Sequence, residues 1–139
     1  EINVYTDSKY VSEAAGIAYL SALKAINCCL VSRGVNEKEL PASIEEYRKA
    51  LRKKMPRNEK LMAALHIVYQ DLHLFAYYRG GTDVKMVKSG FENCKKIIDM
   101  LGTFLGNAKS LSVSEPKATY RIKRKKRNVS TSKSSKPEL

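Results

Sequence analysis

Apolar residues recur at helical spacing through residues 9–101, and the central stretch shows the pattern most clearly. It runs from Leu61 to Arg79 and is closed by Gly80-Gly81. Its apolar positions share one stripe, as the core-facing side of a helix does: Leu61, Leu65, Val68, Leu72, Phe75 and Ala76. The opposite side carries a polar stripe: His66, Gln70, His73 and Tyr77. The pattern predicts a helix with one buried face and one chemically distinctive face.

A first helix is predicted from about Lys9 to Ser32, with Asp7-Ser8 as its N-cap. Small side chains form one stripe along it, which lets a neighbouring backbone come close: Val11, Ala15, Ala18, Ala22, Ala25 and Cys29. Larger apolar side chains broaden that stripe: Ile17, Leu20, Leu23, Ile26 and Leu30. We therefore predict a helix that is buried on more than one side and ends at Gly34 in the left-handed conformation.

Two further helices complete the pattern. Ser43 to Glu46 fits a capping box for a short second helix that ends near Lys54. Its predicted inward residues are Ile44, Tyr47 and Leu51. Asn58 can cap the central helix. A fourth helix is predicted from about Val84 to Leu101, capped by Thr82 or Asp83 and stopped by Gly102. Its inward positions alternate by three and four: Val84, Val87, Phe91, Cys94, Ile98 and Leu101.

Four helices with short connections favour an all-α fold, an antiparallel four-helix bundle. The core is expected to come from the first, central and fourth helices. The residues predicted to form it are Ile17, Leu23, Leu65, Val68, Leu72, Phe91 and Ile98.

The net charge of +12 is unevenly distributed. Residues 107–139 carry ten Lys and Arg against two acidic residues, a surplus of +8. Residues 1–106 carry sixteen basic and twelve acidic residues, a surplus of only +4. We therefore predict a helical-bundle domain over residues 1–106 and a basic, Ser/Lys-rich tail over residues 107–139. Attraction to an anionic partner is expected to act through the tail first.

The run from Arg121 to Arg127 is the strongest local signal in the chain. Dense Lys and Arg displace counterions from a phosphate backbone, which gives salt-sensitive and sequence-indifferent affinity. The predicted nucleic-acid-binding residues are Arg121, Lys123, Arg124, Lys125, Lys126 and Arg127. The same run also fits a targeting segment, a contact with a partner protein or a solubilising terminus, and these alternatives stay open.

Several classes of function have little support. No apolar run approaches the ~18 to 20 residues that span a bilayer, and no signal-peptide pattern is visible, so we expect a cytoplasmic protein without membrane contact. Cys28, Cys29 and Cys94 lie in apolar helical patterns without metal-ligand spacing, which indicates buried, reduced thiols. No motif indicates a metal, a cofactor, a nucleophilic serine or a phosphate-binding loop.

The polar stripe of the central helix is where the sequence hints at chemistry. His66 and His73 are about two turns or ~10.5 Å apart along the helix axis, too far for both to bind one zinc ion. A histidine near neutral pKa, with Tyr77 and Arg79 nearby, can move protons and hold a phosphate. The candidate catalytic residues are therefore His66, His73, Tyr77 and Arg79. The alternative is a half-exposed helix face or a dimer interface.

Two stretches carry a family resemblance over residues 8–102: residues 14–25 with the Arg33-Gly34 exit, and residues 76–81 leading into the last helix. In them the chain resembles the HEPN-type small helical-bundle domains and, more narrowly, an uncharacterised domain-of-unknown-function family of small bacterial proteins. The resemblance implies a homodimer that binds RNA or pairs with a partner protein, a nucleotidyltransferase. Active ribonucleases of the group carry an Arg a few residues before a His. Here eight residues separate Arg57 from His66, so no catalytic residue is carried over.

The sequence thus favours an HEPN-like bundle that acts as a non-enzymatic binding module, with RNA or DNA contact through its basic tail. A homodimer is expected, and nucleic acid or another protein is the expected partner. The alternative is an HEPN-type ribonuclease or phosphate-handling enzyme that uses the face of His66 and His73.

Overall fold

A computed structural model describes residues 3–106, and the side chains of residues 3–103. The described chain is all-α, with its elements in this order: α1 (Ser8–Ser32), a 3-10 turn (Glu37–Glu39), α2 (Ile44–Lys54), α3 (Glu59–Val68), a π-helical segment (Tyr69–Tyr78) and α4 (Val84–Gly106). No β-strand occurs between residues 3 and 106, where the only extended pairing is an isolated bridge between Val4 and Asp83. The predicted helices are therefore present, with small shifts at their ends.

The helix starts follow the side chains that the sequence marks as caps. Each cap accepts a hydrogen bond of 2.9–3.3 Å from the backbone N–H three residues later: Asp7, Ser43, Asn58 and Asp83. The carboxylate of Glu46 reaches back one residue beyond the usual capping-box partner and accepts from the N–H of Ala42 at 2.7 Å. Gly34 has φ of 92°, so the predicted left-handed exit of α1 is confirmed.

One hydrophobic core joins all the helices. α1 packs against α4 and the π-helical segment, and α3 packs against α4. Leu65, Val68 and Leu72 are fully buried, as predicted. The predicted inward residues of α2 are also buried: Ile44, Tyr47 and Leu51. Leu23 is half-buried and packs against the edge of this core.

Three predicted core residues are exposed instead: Ile17 (67%), Phe91 (37%) and Ile98 (43%). The rotation of α4 explains two of them. Gly90 is buried and faces Leu72 so closely that a Cβ at Gly90 would lie 2.5 Å from Leu72 Cδ2. With Gly90 turned inward, the buried side of α4 consists of Val87, Asn93, Cys94, Ile97 and Leu101. The prediction was right for Val87, Cys94 and Leu101, which are buried, and wrong by one position at Phe91 and Ile98, beside which Gly90 and Ile97 are buried instead.

The core covers one side of α1. Its buried residues are Ala15, Tyr19, Ala22, Ile26, Cys29 and Leu30. Ile17 and Leu20 lie on the other side, so the prediction of a helix buried on more than one side is wrong for residues 3–106. By length and composition α1 could cross a membrane, with mean hydropathy 1.6 over a window of which 33% is buried, contrary to the expectation that no apolar run approaches this length. A core helix of a soluble protein and a signal sequence near an N-terminus share these properties.

α4 continues to Gly106, so the prediction that Gly102 stops it is wrong. A glycine inside a helix costs only about 1 kcal/mol relative to alanine, which the packing of Ile97 and Leu101 can offset. Among the residues that the structure describes, nothing lies within 4 Å of a Cβ placed on Gly102, so the residue serves no close contact with that part of the chain.

Candidate functional site

The second half of the central helix is π-helical rather than α-helical. At its end the N–H of Arg79 donates to the carbonyl of Leu74, five residues back, at 3.0 Å. In an α-helix, residues four apart are rotated by about 40° from one another, and the wider π turn brings them more nearly into line. The rings of Tyr69, His73 and Tyr77 accordingly form a ladder, with centroid separations of 5.5 and 6.1 Å and interplanar angles of 28° and 20°.

Tyr19 of α1 completes this cluster from across the helix interface. Its ring stacks on His73 with centroids 4.5 Å apart and an interplanar angle of 22°. Tyr19 is buried, and this loss of hydration, with a smaller contribution from the neighbouring Tyr69, raises the pKa of its hydroxyl to about 12. His73 is therefore held between aromatic faces, where its ring serves as a packing element.

The close approach of α1 to the π-helical segment depends on Gly16. A Cβ at this position would lie 2.8 Å from Cδ2 of Tyr77, so only glycine leaves room for the ring as it stands. Next to it, the hydroxyl of Ser12 donates to the carbonyl of Tyr77 at 3.1 Å. The carbonyl of Tyr77, in the last turn of the segment, thereby accepts a hydrogen bond from outside its own helix.

These contacts border an open groove of about 420 Å³ between α1 and the π-helical segment. Its lining is Glu13, Gly16, Ile17, Tyr19, Leu20, His73 and Tyr77. Most of this lining is apolar or aromatic, and Ile17 and Leu20 at its rim are largely exposed. A lining of this kind suits the burial of apolar side chains, with Glu13 as the charged group at the edge.

The groove continues into a row of exposed side chains along α1, with successive members three, four or seven residues apart in the sequence. We call this row the exposed seam: Glu13, Ile17, Leu20, Lys24 and Val31. This spacing places all five on one side of the helix. Asn27 fills the remaining position of the alternation and is half-buried, with its side-chain oxygen bonded to the Tyr47 hydroxyl at 2.8 Å. α1 thus has apolar residues on two opposite sides, of which the core covers one.

A family profile described as a domain of unknown function (DUF5618) matches residues 1–103. The chain belongs to this family. The match covers every helix start and the whole groove, and it ends before the basic tail begins. Comparisons of this DUF5618 chain with curated proteins and with solved structures found no match.

The four candidate catalytic residues of the DUF5618 domain do not share one site. His73 and Tyr77 lie together in the groove. His66 lies outside the groove and is exposed, and its Nδ1 is 3.4 Å from Nη2 of Arg48 on α2. Arg79 is exposed at the end of the π-helical segment, and its guanidinium forms no hydrogen bond or ion pair with any residue between 3 and 106.

Arg48 links the two histidine environments of the domain. Its Cζ lies 5.9 Å from the centroid of the Tyr69 ring, a cation-π contact, and Nη1 is 3.9 Å from the carboxylate of Glu45. Tyr69 in turn stacks on His73. Sequence reasoning missed Tyr19, Tyr69 and Arg48. The four-residue spacing of Tyr69 with His73 could have revealed one of them, whereas the other two come from separate helices.

The three cysteines lie on α1 and α4. Across the described residues, no three His, Cys, Asp or Glu side chains are grouped as metal ligands. Cys29 and Cys94 are buried, and burial raises the pKa of the Cys94 thiol, which lies 3.1 Å from the carbonyl of Ala18. Cys28 is exposed, so the prediction of three buried thiols is wrong for this residue. The predicted nucleic-acid-binding residues, Arg121 to Arg127, lie outside the described residues.

Proposed function

We propose that this DUF5618 protein is a non-enzymatic binding module, an HEPN-like antiparallel four-helix bundle with two interaction surfaces. One surface is the exposed seam of α1 with its adjoining groove, which binds protein. The other is the basic tail, which binds RNA or DNA. The observation that carries the proposal is the seam itself, because Ile17 and Leu20 expose more than half of their surface in one row on a helix whose other side is core.

The chemistry of the groove supports binding over catalysis. Apart from its tyrosines, its ionisable side chains are Glu13 and His73. His73 stacks on Tyr19 and on Tyr69, so the faces of its imidazole are engaged in packing where the ring borders the groove. Catalysis by proton transfer needs an acid or base within hydrogen-bond reach of the reacting group.

Nucleic-acid binding by the tail is supported by its charge surplus of +8 and by the six basic residues between Arg121 and Arg127. If each of the six neutralises one phosphate of a single strand, the logarithm of the binding constant falls with the logarithm of salt concentration at a slope of about −4. We expect this slope for the full chain and labelled single-stranded RNA in a fluorescence-anisotropy titration.

Two controls separate the tail from the helical domain. A chain ending at Gly106 is expected to lose most of the affinity at low salt. A full-length chain with the six basic residues changed to Gln keeps the tail's length and is expected to behave like the shortened chain. Equal affinity of all three proteins at two salt concentrations would show that the tail does not bind RNA.

A second candidate function, RNA cleavage, is favoured by the contact between Arg48 and His66. A guanidinium beside an imidazole pairs a phosphate-binding cation with a side chain that can accept or donate a proton. This pair comes from two helices, so the sequence spacing of Arg and His does not reveal it.

Incubation with end-labelled RNA distinguishes the two functions. As a binding module, wild type and a His66→Ala/His73→Ala variant are expected to leave the same amount of intact RNA as buffer alone. Cleavage by wild type that is lost in His66→Ala and in Arg48→Ala, but retained in His73→Ala, would instead establish a ribonuclease at the Arg48–His66 pair.

A further inference from the structure

The exposed seam of α1 is complementary to itself. Two copies of α1 laid antiparallel and centred between residues 18 and 19 place four of the five seam residues, all but Val31, opposite a seam residue of the other copy. In this arrangement Ile17 meets Leu20 of the second copy, and Glu13 meets Lys24 of the second copy. Two-fold symmetry repeats both pairs, so the contact has two apolar pairs at its centre and an ion pair on each side.

The charges select this orientation over a parallel one. A parallel two-fold pair brings Glu13 opposite Glu13 and Lys24 opposite Lys24, and like charges in an interface are costly. Among residues 3–106, the ion pairs are Arg48–Glu45 and Lys95–Asp99. Glu13 and Lys24 are therefore both exposed and available for pairing with another molecule.

The same charges disfavour a lipid surface as the occupant. Glu13 and Lys24 lie in line with Ile17 and Leu20, so insertion of this side of α1 into a bilayer would carry a carboxylate and an ammonium group with the apolar residues. Removing such groups from water without a partner costs several kcal/mol or shifts their ionisation, on the order of the penalties found for buried charges. Pairing with a second copy leaves them at the interface edge with opposite charges.

From this complementarity we propose that a second copy of the chain docks antiparallel on the exposed seam, with Ile17 against Leu20 and Glu13 against Lys24 of the other copy. The inference rests on the proposed function and names the partner of its protein-binding surface. Tyr10 and Tyr77, exposed on either side of the seam, widen the apolar contact. Ser21, which is exposed beside Leu20, is a small residue at the edge of this contact.

The test is a charge-swap experiment on the full chain, read by sedimentation-equilibrium centrifugation. Wild type is expected to be a dimer at tens of micromolar. Each single reversal, Glu13→Lys or Lys24→Glu, places like charges opposite one another twice, and is expected to raise the dimer dissociation constant about ten-fold or more. The double variant Glu13→Lys/Lys24→Glu restores opposite charges and is expected to return to within about three-fold of wild type.

Matched controls use α4. Glu92→Lys reverses an exposed charge away from the seam and is expected to leave the dimer unchanged. Ile17→Asp is expected to give a monomer, whereas Ile98→Asp, at a comparably exposed apolar position, is expected to leave a dimer. All of these side chains are exposed, so circular dichroism and thermal melting are expected to show folded proteins.

Each contrary outcome overturns the proposal. A wild type that is monomeric throughout removes the second copy, and flotation of that monomer with anionic vesicles would identify lipid as the occupant. A dimer that tolerates both single reversals lies elsewhere on the chain. A double variant that stays monomeric contradicts the antiparallel register. The RNA titration reads the tail alone, so its failure and the failure of the dimer are told apart.

Discussion

Replacing Leu72 by Ala is expected to lower the free energy of unfolding by about 2 to 5 kcal/mol, because the side chain is fully buried in the π-helical segment and its removal leaves a cavity. Urea denaturation followed by circular dichroism measures the loss. An unchanged unfolding midpoint would show that Leu72 does not contribute to the core.

The contact of Leu72 with Gly90 allows the same packing to be tested by combining two substitutions. Gly90→Ala alone is expected to destabilise, since overpacking costs about 1 to 3 kcal/mol and outweighs a gain of roughly 1 kcal/mol in helix propensity. In the Leu72→Ala background the same substitution partly fills the cavity and is expected to be neutral or stabilising. Gly102→Ala is the matched control on α4, because a Cβ there meets nothing within 4 Å. Additive effects of the first two substitutions would contradict the contact.

The second prediction with a large effect is a loss of folding stability at alkaline pH through the ionisation of Tyr19. The pKa of its hydroxyl is raised from 10.0 to about 12 by burial. Between these values the unfolded chain releases a proton that the folded protein keeps. The contribution of Tyr19 to the free energy of unfolding is therefore complete below pH 10 and is lost as the pH rises through the folded-state pKa. The loss is about 1.4 kcal/mol per pH unit and roughly 2 to 3 kcal/mol in total.

Tyr19→Phe isolates this contribution. Tyr47 also has a pKa raised by burial, so the wild-type protein loses stability from more than one group above pH 10. The difference between wild type and Tyr19→Phe, measured by urea denaturation at several pH values from 8 to 11, is expected to shrink as the pH rises. Parallel pH profiles of the two proteins would mean that Tyr19 ionises as freely when folded as when unfolded.

The helices and their starts could be predicted because the responsible interactions are local. A side-chain oxygen at Asp7, Ser43 or Asn58 bonds a backbone N–H only three residues away, so the signal lies within four consecutive residues. The burial of Leu65, Val68 and Leu72 could also be predicted, because a helix with one clear apolar stripe turns that stripe toward the core.

The small-residue stripe of α1 predicted its buried side, since Ala15, Ala22 and Cys29 are buried. The exposure of Ile17 and Leu20 and the rotation of α4 could not be predicted, because each helix has more than one apolar side. Which side is buried depends on contacts between helices, such as Leu72 against Gly90, that link residues far apart in sequence. The π-helical segment escaped prediction for a related reason. The sequence has helical periodicity through this stretch, and that periodicity does not show the change in hydrogen bonding, which the structure shows in the bond from the Arg79 N–H to the Leu74 carbonyl.

The candidate site was predicted in part. The polar stripe correctly placed His73 and Tyr77 on one surface, because residues four apart share a face of any helix of this kind. It did not place Tyr19 on His73 or Arg48 beside His66, since each of these contacts joins different helices. The candidate groups for proton transfer therefore divide between a stacked environment and a solvated one.

The π-helical segment meets its neighbours where a methyl group is missing, at Gly16 on α1 and at Gly90 on α4. The absence of a side chain at Gly16 and Gly90 thus sets the distances from the π-helical segment to α1 and to α4. Hydrophobic residues around them can be exchanged for others of similar volume at a small cost in stability. A side chain at Gly16 or Gly90 requires the facing Tyr77 or Leu72 to move, so the spacing of these helices is sensitive to the two smallest residues in the interface.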